Sequence, residues 1–286
     1  MIAAPLFTLA VPAAAARAAA AIVGAPFDLT ASFRRGSREG PRAIRRLSES
    51  LETYSPVLER DLEDFVLVDL GDVVPSTASI GAALDTIQEA FERALSLASI
   101  AVLLGGEHTV SLAGFRAVRR VHPDALLVQL DAHADLRAEW EGEPITHASW
   151  AYQAGVEFGF ENVFQFGIRS LAREETAAAR HVGWTSPELV MPGAVAERLR
   201  ERPLYLTIDI DVLDPSIAPG TGSPEPGGVS FRDLAGFLYA LAQFRVVAFD
   251  LVEVAPNLDP SEVTSAAAAK LVREGILLFG TTPSFP

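Results

Sequence analysis

The stretch LLVQLDAHADL, residues 126–136, joins an apolar run to three polar residues spaced two apart. The apolar run is typical of a strand buried in a parallel sheet. Side chains of a strand alternate between its faces, so Asp131, His133 and Asp135 would lie on one side if the extended backbone continued. Open α/β sheets bind their ligands at this end of the strand. Taken alone, the motif fits a metal site and a solvated loop equally well.

The length of 286 residues favours one large domain over residues 1–286, since single α/β domains often reach about 250 residues, and 49% hydrophobic residues suffice for a substantial core. The chain has 37 acidic and 23 basic residues, which gives a formal net charge of −14. This charge disfavours nucleic acids and anionic membranes as partners and suits a small cationic substrate. The sequence has no cysteine, so a metal site must use imidazole and carboxylate ligands.

An alanine-rich segment from Ala10 to Ala21 resembles a signal peptide in composition. Pro12 and Arg17 interrupt it, and it runs directly into the strand-like residues 21–24. We therefore expect this segment to belong to the fold and the protein to be cytoplasmic. No apolar run approaches the length of a membrane span.

Short apolar runs alternate with segments of helical periodicity along the chain. This pattern predicts right-handed βαβ crossovers and a parallel sheet with helices on both faces. No repeat, linker or block of charge divides the chain. The predicted strands are 22–26, 65–70, 100–104, 126–130, 163–167, a short one at 181–184, 204–210 and 246–252, and the predicted helices are 41–51, 80–98, 110–120, 193–200, 231–242 and 262–273.

Two further polar clusters follow predicted strands. Asp209 and Asp211 stand among aliphatic residues at the end of 204–210. Two buried carboxylates repel each other, so either a cation binds them or one is protonated. His108 follows a Gly-Gly pair, and on its own it suits a histidine at a helix start or in the core.

Together, the three clusters bring two imidazoles and four carboxylates to the ends of three strands of one sheet. Four negative charges match two divalent cations, and oxygen and nitrogen ligands without sulfur suit manganese better than zinc. Two bridged ions would hold and ionise a water molecule between them. The candidate ligands are His108, Asp131, His133, Asp135, Asp209 and Asp211.

Three segments resemble the signature motifs of the ureohydrolase family, which includes arginase and agmatinase. The segments are Gly-Gly-Glu-His at 105–108, Asp-Ala-His-Ala-Asp at 131–135 and Thr-Ile-Asp-Ile-Asp-Val-Leu-Asp-Pro at 207–215. The resemblance extends from 24–28 to 253–256. It implies a three-layer αβα fold with a central, mostly parallel sheet of about eight strands, a homo-oligomer (trimer or hexamer) and two Mn²⁺ per subunit.

The resemblance also implies how the ligands are shared between the two ions. His108 and Asp135 would bind one ion, and His133 and Asp211 the other. The two bridging ligands would be Asp131 and Asp209.

Two further residues match catalytic positions of the family. A guanidinium is a planar, delocalised cation that water attacks very slowly, so a carboxylate must orient it over a metal-bound hydroxide. Glu253 matches the family residue that binds the guanidinium, although an ion pair with an arginine is the alternative. His147 matches the histidine that passes a proton to the departing amine, and a helix cap is its alternative role. His122 and His181 match no motif, which indicates surface or structural positions.

Two departures from arginase disfavour arginine as the substrate. Ala172 stands where arginase has an aspartate three positions after the arginine of its Gly-Leu-Arg motif, and Arg137 replaces an asparagine. Without these contacts, the α-amino and α-carboxylate groups of bound arginine would lose their water and gain no hydrogen-bond partners in the protein. The segments 135–144 and 166–175 look more like bacterial agmatinases.

The tail of the substrate is not decided by the sequence. Glu139, Trp140, Glu141 and Glu143 form either a mouth that suits an amine or a solvated acidic loop. The predicted reaction is hydrolysis of agmatine to putrescine and urea. N1-aminopropylagmatine, a guanidino acid, arginine or a formimino compound are alternative substrates.

A different class of function is a catalytically silent family member that serves as a binding or assembly subunit. The complete ligand set weighs against it. A zinc deacetylase of similar architecture would need a single metal and a tandem histidine pair, which the sequence lacks.

Overall fold

Strands and helices alternate through most of the computed structural model, which describes residues 7–12 and 18–281. The strands are β1 Ala18–Ala25, β2 Tyr54–Ser55, β3 Arg60–Asp61, β4 Leu67–Asp72, β5 Ala98–Gly105, β6 Leu126–Leu130, β7 Val163–Phe166, β8 Trp184–Ser186, β9 Leu204–Asp209 and β10 Val246–Val252. The helices are α1 Gly40–Ser48, α2 Ile80–Leu97, α3 Val110–Val121, α4 Trp150–Phe158, α5 Thr176–Ala179, α6 Gly193–Leu199, α7 Phe231–Ala240 and α8 Val263–Phe279.

The central sheet contains eight parallel strands in the order β4-β1-β5-β10-β9-β6-β7-β8. The chain builds one half of the sheet, crosses to β6 and the other edge, and returns with β9 and β10 to fill the centre. Because all strands are parallel, the carboxyl ends of β5, β10, β9 and β6 lie side by side at one edge of the sheet.

Two hydrophobic cores cover the two faces of the sheet. Strand side chains alternate between them, as Val102 and Leu103 of β5 show by entering different cores. Helices α1, α6, α7 and α8 contribute to one core, and α2, α3 and α4 to the other. The fold is therefore a three-layer αβα arrangement, and the predicted fold class is confirmed.

The predicted elements differ from the structure mainly at their ends. The sixth predicted strand, 181–184, is observed as β8 at Trp184–Ser186, and α8 continues to Phe279 instead of ending near residue 273. The β2–β3 hairpin and helices α4 and α5 were not predicted. Their sequences are short or rich in aromatic and glycine residues, so periodicity gives little signal there.

The segment expected to join the fold does so where the structure describes it. Phe7 is buried, and Val11 pairs with Val68 beside β4. Residues 13–17 lie outside the described residues, and β1 begins at Ala18. Among the described helices, none is both long and apolar enough to cross a lipid bilayer.

A buried ion pair joins α1 to the end of β4. The Arg45 guanidinium is fully buried and donates two hydrogen bonds of 2.8 Å to the Asp69 carboxylate. Its third nitrogen pairs with Asp72. Arg46, the next residue, forms an exposed pair with Glu262. The two arginines are thus neighbours in sequence but differ in burial.

We expect Arg45→Met to lower the free energy of unfolding by about 3–5 kcal/mol, because it leaves a buried carboxylate without its partner. The matched control Arg46→Met should cost less than about 1 kcal/mol, since exposed pairs contribute little. Urea unfolding of both variants measures the difference. Equal losses in the two variants would contradict a structural role for the buried pair.

Candidate active site

Four adjoining strand ends supply the candidate site. His108 follows β5, Glu253 follows β10, Asp209 ends β9 and Asp131 follows β6. Polar side chains from separate parts of the sequence therefore meet at one edge of the sheet. Each of these residues was predicted as a candidate from the sequence.

The aspartates reach this edge through turns, and the expected continuation of the strands is wrong. Strand β6 stops at Leu130, and Asp135 has a φ of 52°, in the left-handed region. Strand β9 stops at Asp209, and a 3₁₀ turn over Ile210–Val212 carries Asp211. Turning the chain brings the carboxylates together more closely than an extended strand would, because alternate side chains of a strand lie almost 7 Å apart, at about 3.3 Å per residue.

The His108 ring forms the centre of a first group of candidate ligands. Its Nδ1 lies 3.0 Å from Asp131 Oδ2, 3.1 Å from Asp209 Oδ2 and 3.4 Å from Asp135 Oδ2. This nitrogen is buried and has no hydrogen-bond partner of acceptable geometry. A buried nitrogen surrounded by carboxylate oxygens fits a metal ligand better than a structural histidine.

Neutral groups contact the Nε2 side and the face of the His108 ring. Its Nε2 lies 2.8 Å from Thr207 Oγ1, and its ring packs on the Trp150 indole with 4.5 Å between the ring centroids. An imidazole that donates from Nε2 leaves the Nδ1 lone pair free. The surroundings of the ring therefore favour the tautomer that a metal at Nδ1 requires.

A second group is centred on His133. Its Nδ1 lies 2.9 Å from Asp211 Oδ2 and 3.7 Å from Asp131 Oδ1. Asp131 thus faces both histidines with different oxygens, as a bridging ligand would. Asp209 contacts the first group with Oδ2, while its Oδ1 accepts a hydrogen bond from the Asp211 amide.

Donors around the aspartates fix their orientation. Gln129 Nε2 donates to Asp131 Oδ2 at 2.7 Å, and Trp150 Nε1 donates to Asp135 Oδ2 at 2.8 Å. The Ala132 amide donates to Asp211 Oδ1 at 3.1 Å. These donors are neutral, so they orient the carboxylates without cancelling their charge.

The crowding of charges shifts the pKa values of the cluster. Burial and the charges of Asp211 and Asp135 raise the pKa of Asp131 to about 7, and burial together with Asp211 raises that of Asp209 well above its usual range. Burial alone would lower the pKa of His133, but the carboxylates outweigh it and raise the value to about 11. The cluster therefore holds protons that bound cations would displace.

A cavity opens above the cluster, and Glu253 and His147 both line it. Glu253 Oε1 accepts a 2.8 Å hydrogen bond from the His108 amide, and the residue has a φ of 63°. Burial, reinforced by the charge of Glu107, raises the pKa of Glu253 to about 8. The structure thus places Glu253 directly beside the candidate metal ligands, and no salt bridge to an arginine forms there within the described residues.

The His147 ring contacts hydroxyl groups from a different loop. Nδ1 lies 3.3 Å from Thr30 Oγ1 and Nε2 lies 3.1 Å from Ser32 Oγ. The first residue before α4, in the capping position, is Ser149. The helix-cap alternative for His147 therefore does not match the structure.

The cavity wall contains residues that sequence reasoning missed. The loop after β1, the segment before α4 and the segment after β9 supply them, and all three lie within or beside segments that carry the family resemblance. That proximity was the available signal, but no chemical pattern separated these residues from an ordinary loop. The missed lining residues are Ala31, Ser32, Phe33, Arg34, Ala148, Gly222 and Ser223.

The loop after β6 settles one alternative left open by the sequence. Trp140 lines the cavity, with the Arg137 guanidinium 4.5 Å from the centre of its ring. Glu139, Glu141 and Glu143 are exposed and do not line the cavity. The three acidic residues therefore form a solvated loop, and of the four residues predicted for a mouth only Trp140 lines the cavity.

His122 and His181 lie away from the cavity. His122 follows the last residue of α3, and His181 is exposed. Both fit the surface or structural positions expected for them.

Comparison with known proteins agrees with the fold and the clustered residues. The profile of the arginase family matches residues 18–278. The chain belongs to the arginase family. An agmatinase of Halalkalibacterium halodurans is 43% identical over 263 residues, 90% of this chain and 91% of the relative. The family predicted from the three sequence motifs is therefore confirmed.

Solved structures of arginase-family proteins support the same assignment. A putative agmatinase from Clostridium difficile matches with a TM-score of 0.84 at 34% identity, covering 91% of this chain and 96% of that one. Proclavaminate amidino hydrolase from Streptomyces clavuligerus matches with a TM-score of 0.86 at 29% identity, covering 96% of both chains.

We expect metal binding to release at least about two protons per chain near pH 7, because the pKa values of His108, His133 and Asp209 are all raised and ligands must be deprotonated. The overall binding constant for two ions should then rise at least about 100-fold per pH unit. Calorimetry in buffers of different ionisation enthalpy counts the protons. Binding that is independent of pH would contradict this reading of the cluster.

Proposed function

We propose that the protein hydrolyses the guanidino group of agmatine, giving putrescine and urea, with two Mn²⁺ per subunit. The observation that carries this proposal is the 43% identity to an agmatinase across about nine tenths of both chains. The complete set of clustered imidazoles and carboxylates supports it. A catalytically silent family member would have no reason to keep such a costly arrangement of buried charges.

The first group would hold one ion through His108 and Asp135, and the second group the other ion through His133 and Asp211. Asp131 and Asp209 would bridge the ions. When bound, the two cations supply a hydroxide at neutral pH and neutralise the four carboxylates. The oxygen-rich donor set without sulfur supports manganese, and the unpartnered Nδ1 of His108 supports a metal at that nitrogen.

Glu253 is the group that would bind the guanidinium. Its carboxylate faces the cavity, and the His108 amide fixes one of its oxygens at 2.8 Å. A guanidinium matches a carboxylate in shape and charge, so this pairing would hold the substrate carbon above the cluster. Pairing with a cation also favours the ionised form of Glu253, against the burial that raises its pKa.

His147 would carry a proton between the cavity and the departing amine. Its ring lies in the cavity wall, and hydroxyl groups contact both nitrogens. Breakdown of the tetrahedral intermediate needs a proton on the leaving nitrogen, and an imidazole can give and regain one near neutral pH.

The aromatic part of the cavity wall suits the amine tail of agmatine. Phe33 and Trp140 both line the cavity, and Phe33 is 72% exposed. The face of an aromatic ring attracts an ammonium group, so no carboxylate is needed to bind it. The tail would therefore be bound by ring faces instead of the acidic loop.

Two cationic residues in the same wall favour a second candidate substrate, a guanidino acid. Arg34 donates to the carbonyl oxygens of Thr221 and Gly222 and forms no salt bridge within the part of the chain that the structure describes. Arg137 lines the cavity as well, and one of its nitrogens pairs with Glu174. A carboxylate tail would pair with these guanidinium groups.

Urea release tests the two candidates directly. After loading with Mn²⁺, the protein is assayed with agmatine and guanidinobutyrate, which carry tails of opposite charge, and with aminopropylagmatine and arginine. We expect the highest kcat/KM with agmatine. A higher value with guanidinobutyrate would replace agmatine by the second candidate, and no urea from any guanidine would support a silent subunit.

We expect Glu253→Gln to retain its metal content but to lower kcat with agmatine by about 10³-fold, because a neutral amide cannot pair with the guanidinium. Glu143→Gln, an exposed carboxylate outside the cavity, serves as the control and should keep wild-type turnover. Elemental analysis and the urea assay give the two readouts. More than a tenth of wild-type activity in Glu253→Gln would remove this residue from substrate binding.

Three sequence-based expectations accompany the proposal and stay predictions. They are the single domain over residues 1–286, the homo-oligomeric assembly as a trimer or hexamer, and the cytoplasmic location.

A further inference from the structure

We propose that Glu107 is a positioning residue for His147: acting through Thr30, it determines which nitrogen of the His147 ring carries the proton. The inference deepens the proposed function and rests on it, because it concerns the proton transfer assigned to His147. Glu107 belongs to the Gly-Gly-Glu-His motif, but neither metal binding nor substrate binding uses it.

The Glu107 side chain is fully buried and accepts three hydrogen bonds. Its Oε2 accepts from the Thr30 amide at 2.8 Å. Its Oε1 accepts from the Thr30 hydroxyl and from the Thr109 hydroxyl, each at 2.6 Å. All three partners are donors, which is the arrangement that an ionised carboxylate requires, since it has no proton to give.

The main chain fixes the same loop from the other side. The Glu107 amide donates to Phe27 O at 2.7 Å. Glu107 therefore clamps residues 27–30 with both its backbone and its side chain. The loop that carries Thr30 and Ser32 is held in one position beside the cavity.

The number of available protons decides the role of Thr30. A hydroxyl group has one proton, and Thr30 gives it to Glu107. Its Oγ1 can then only accept, and two groups of His147 face it: the amide nitrogen at 2.9 Å and the ring Nδ1 at 3.3 Å. His147 accordingly carries a proton on Nδ1.

The consequence falls on the other ring nitrogen. In a neutral imidazole protonated at Nδ1, Nε2 has a free lone pair. This nitrogen faces Ser32 Oγ at 3.1 Å. The ring is thus held ready to take up and release the shuttled proton at Nε2, and it does not need to rotate or exchange tautomers between turnovers.

An amide at position 107 could not serve in the same way. If its NH₂ replaced Oε1, Thr30 would have to accept from it and would turn its own proton toward His147. If its NH₂ replaced Oε2, this NH₂ group would face the backbone N–H of Thr30, and two donors would lie opposite each other without an acceptor. Either arrangement disturbs the donor pattern that sets the His147 tautomer.

The test compares Thr30→Val with Thr30→Ser. Valine has nearly the shape of threonine but no hydroxyl, whereas serine keeps the hydroxyl. We expect Thr30→Val to lower kcat for urea release at least about tenfold, because a positioned acid–base group contributes about 10²–10⁴-fold. KM and the metal content measured by elemental analysis should stay near wild type, and Thr30→Ser should keep most of the kcat.

Added imidazole separates a positioning role from a structural one. Free imidazole can replace a misplaced proton carrier, so it should restore part of the kcat of Thr30→Val. It should not restore Glu253→Gln, whose defect is in substrate binding. Glu107→Gln should show the same loss of kcat and the same recovery as Thr30→Val.

Several outcomes would overturn the inference. They are wild-type kcat in Thr30→Val, equal losses in the valine and serine variants, or a loss in Thr30→Val that imidazole does not restore. Failure of the proposed function looks different, because the wild-type protein itself would then release no urea from any guanidine.

Discussion

Mutual repulsion among four buried carboxylates is the constraint around which this structure is built. Asp131, Asp135, Asp209 and Asp211 lie within a few Å of two histidines, where burial and like charges raise the pKa values of Asp131 and Asp209. Only Gln129, Trp150 and backbone amides orient them, and these groups are neutral. Such an arrangement is costly for folding unless cations bind it, so it indicates a site that evolved to hold metal.

The sheet topology makes this concentration of charge possible. Because β9 and β10 enter the sheet between β5 and β6, four strand ends that are far apart in sequence become neighbours. Parallel strands direct all four carboxyl ends to one edge, and both faces of the sheet are packed against helices. The active-site residues therefore stand on a rigid support. Two of them, Asp135 and Glu253, adopt left-handed backbone conformations, as do several residues outside the site.

The sequence predicted the fold class and all six candidate ligands, because buried parallel strands produce continuous apolar runs and the polar residues follow them directly. It could not predict how the aspartates reach the cluster. A period of two suggested that Asp131, His133 and Asp135 continue an extended strand, whereas β6 ends at Leu130 and Asp135 has a φ of 52°, since the choice depends on contacts with other strands. Thr30 and Ser32 were missed for a similar reason: nothing in their local pattern reveals that Glu107 and His147, about 75 and 115 residues away, hold them. The acidic loop at 139–143 is an error of the opposite kind, because residues were suggested that do not line the site. Its composition suggested a binding surface, but in the fold its acidic side chains are exposed to solvent.

The most direct test of the central claim is the number of metal ions that the cluster binds. The purified protein is loaded with Mn²⁺, dialysed to remove free ions and analysed for manganese per chain. Our account predicts two ions per chain in the wild type and a loss of metal in Asp131→Asn, because Asp131 faces both histidines. A single ion in the fully loaded wild type, or two ions retained in Asp131→Asn, would contradict it.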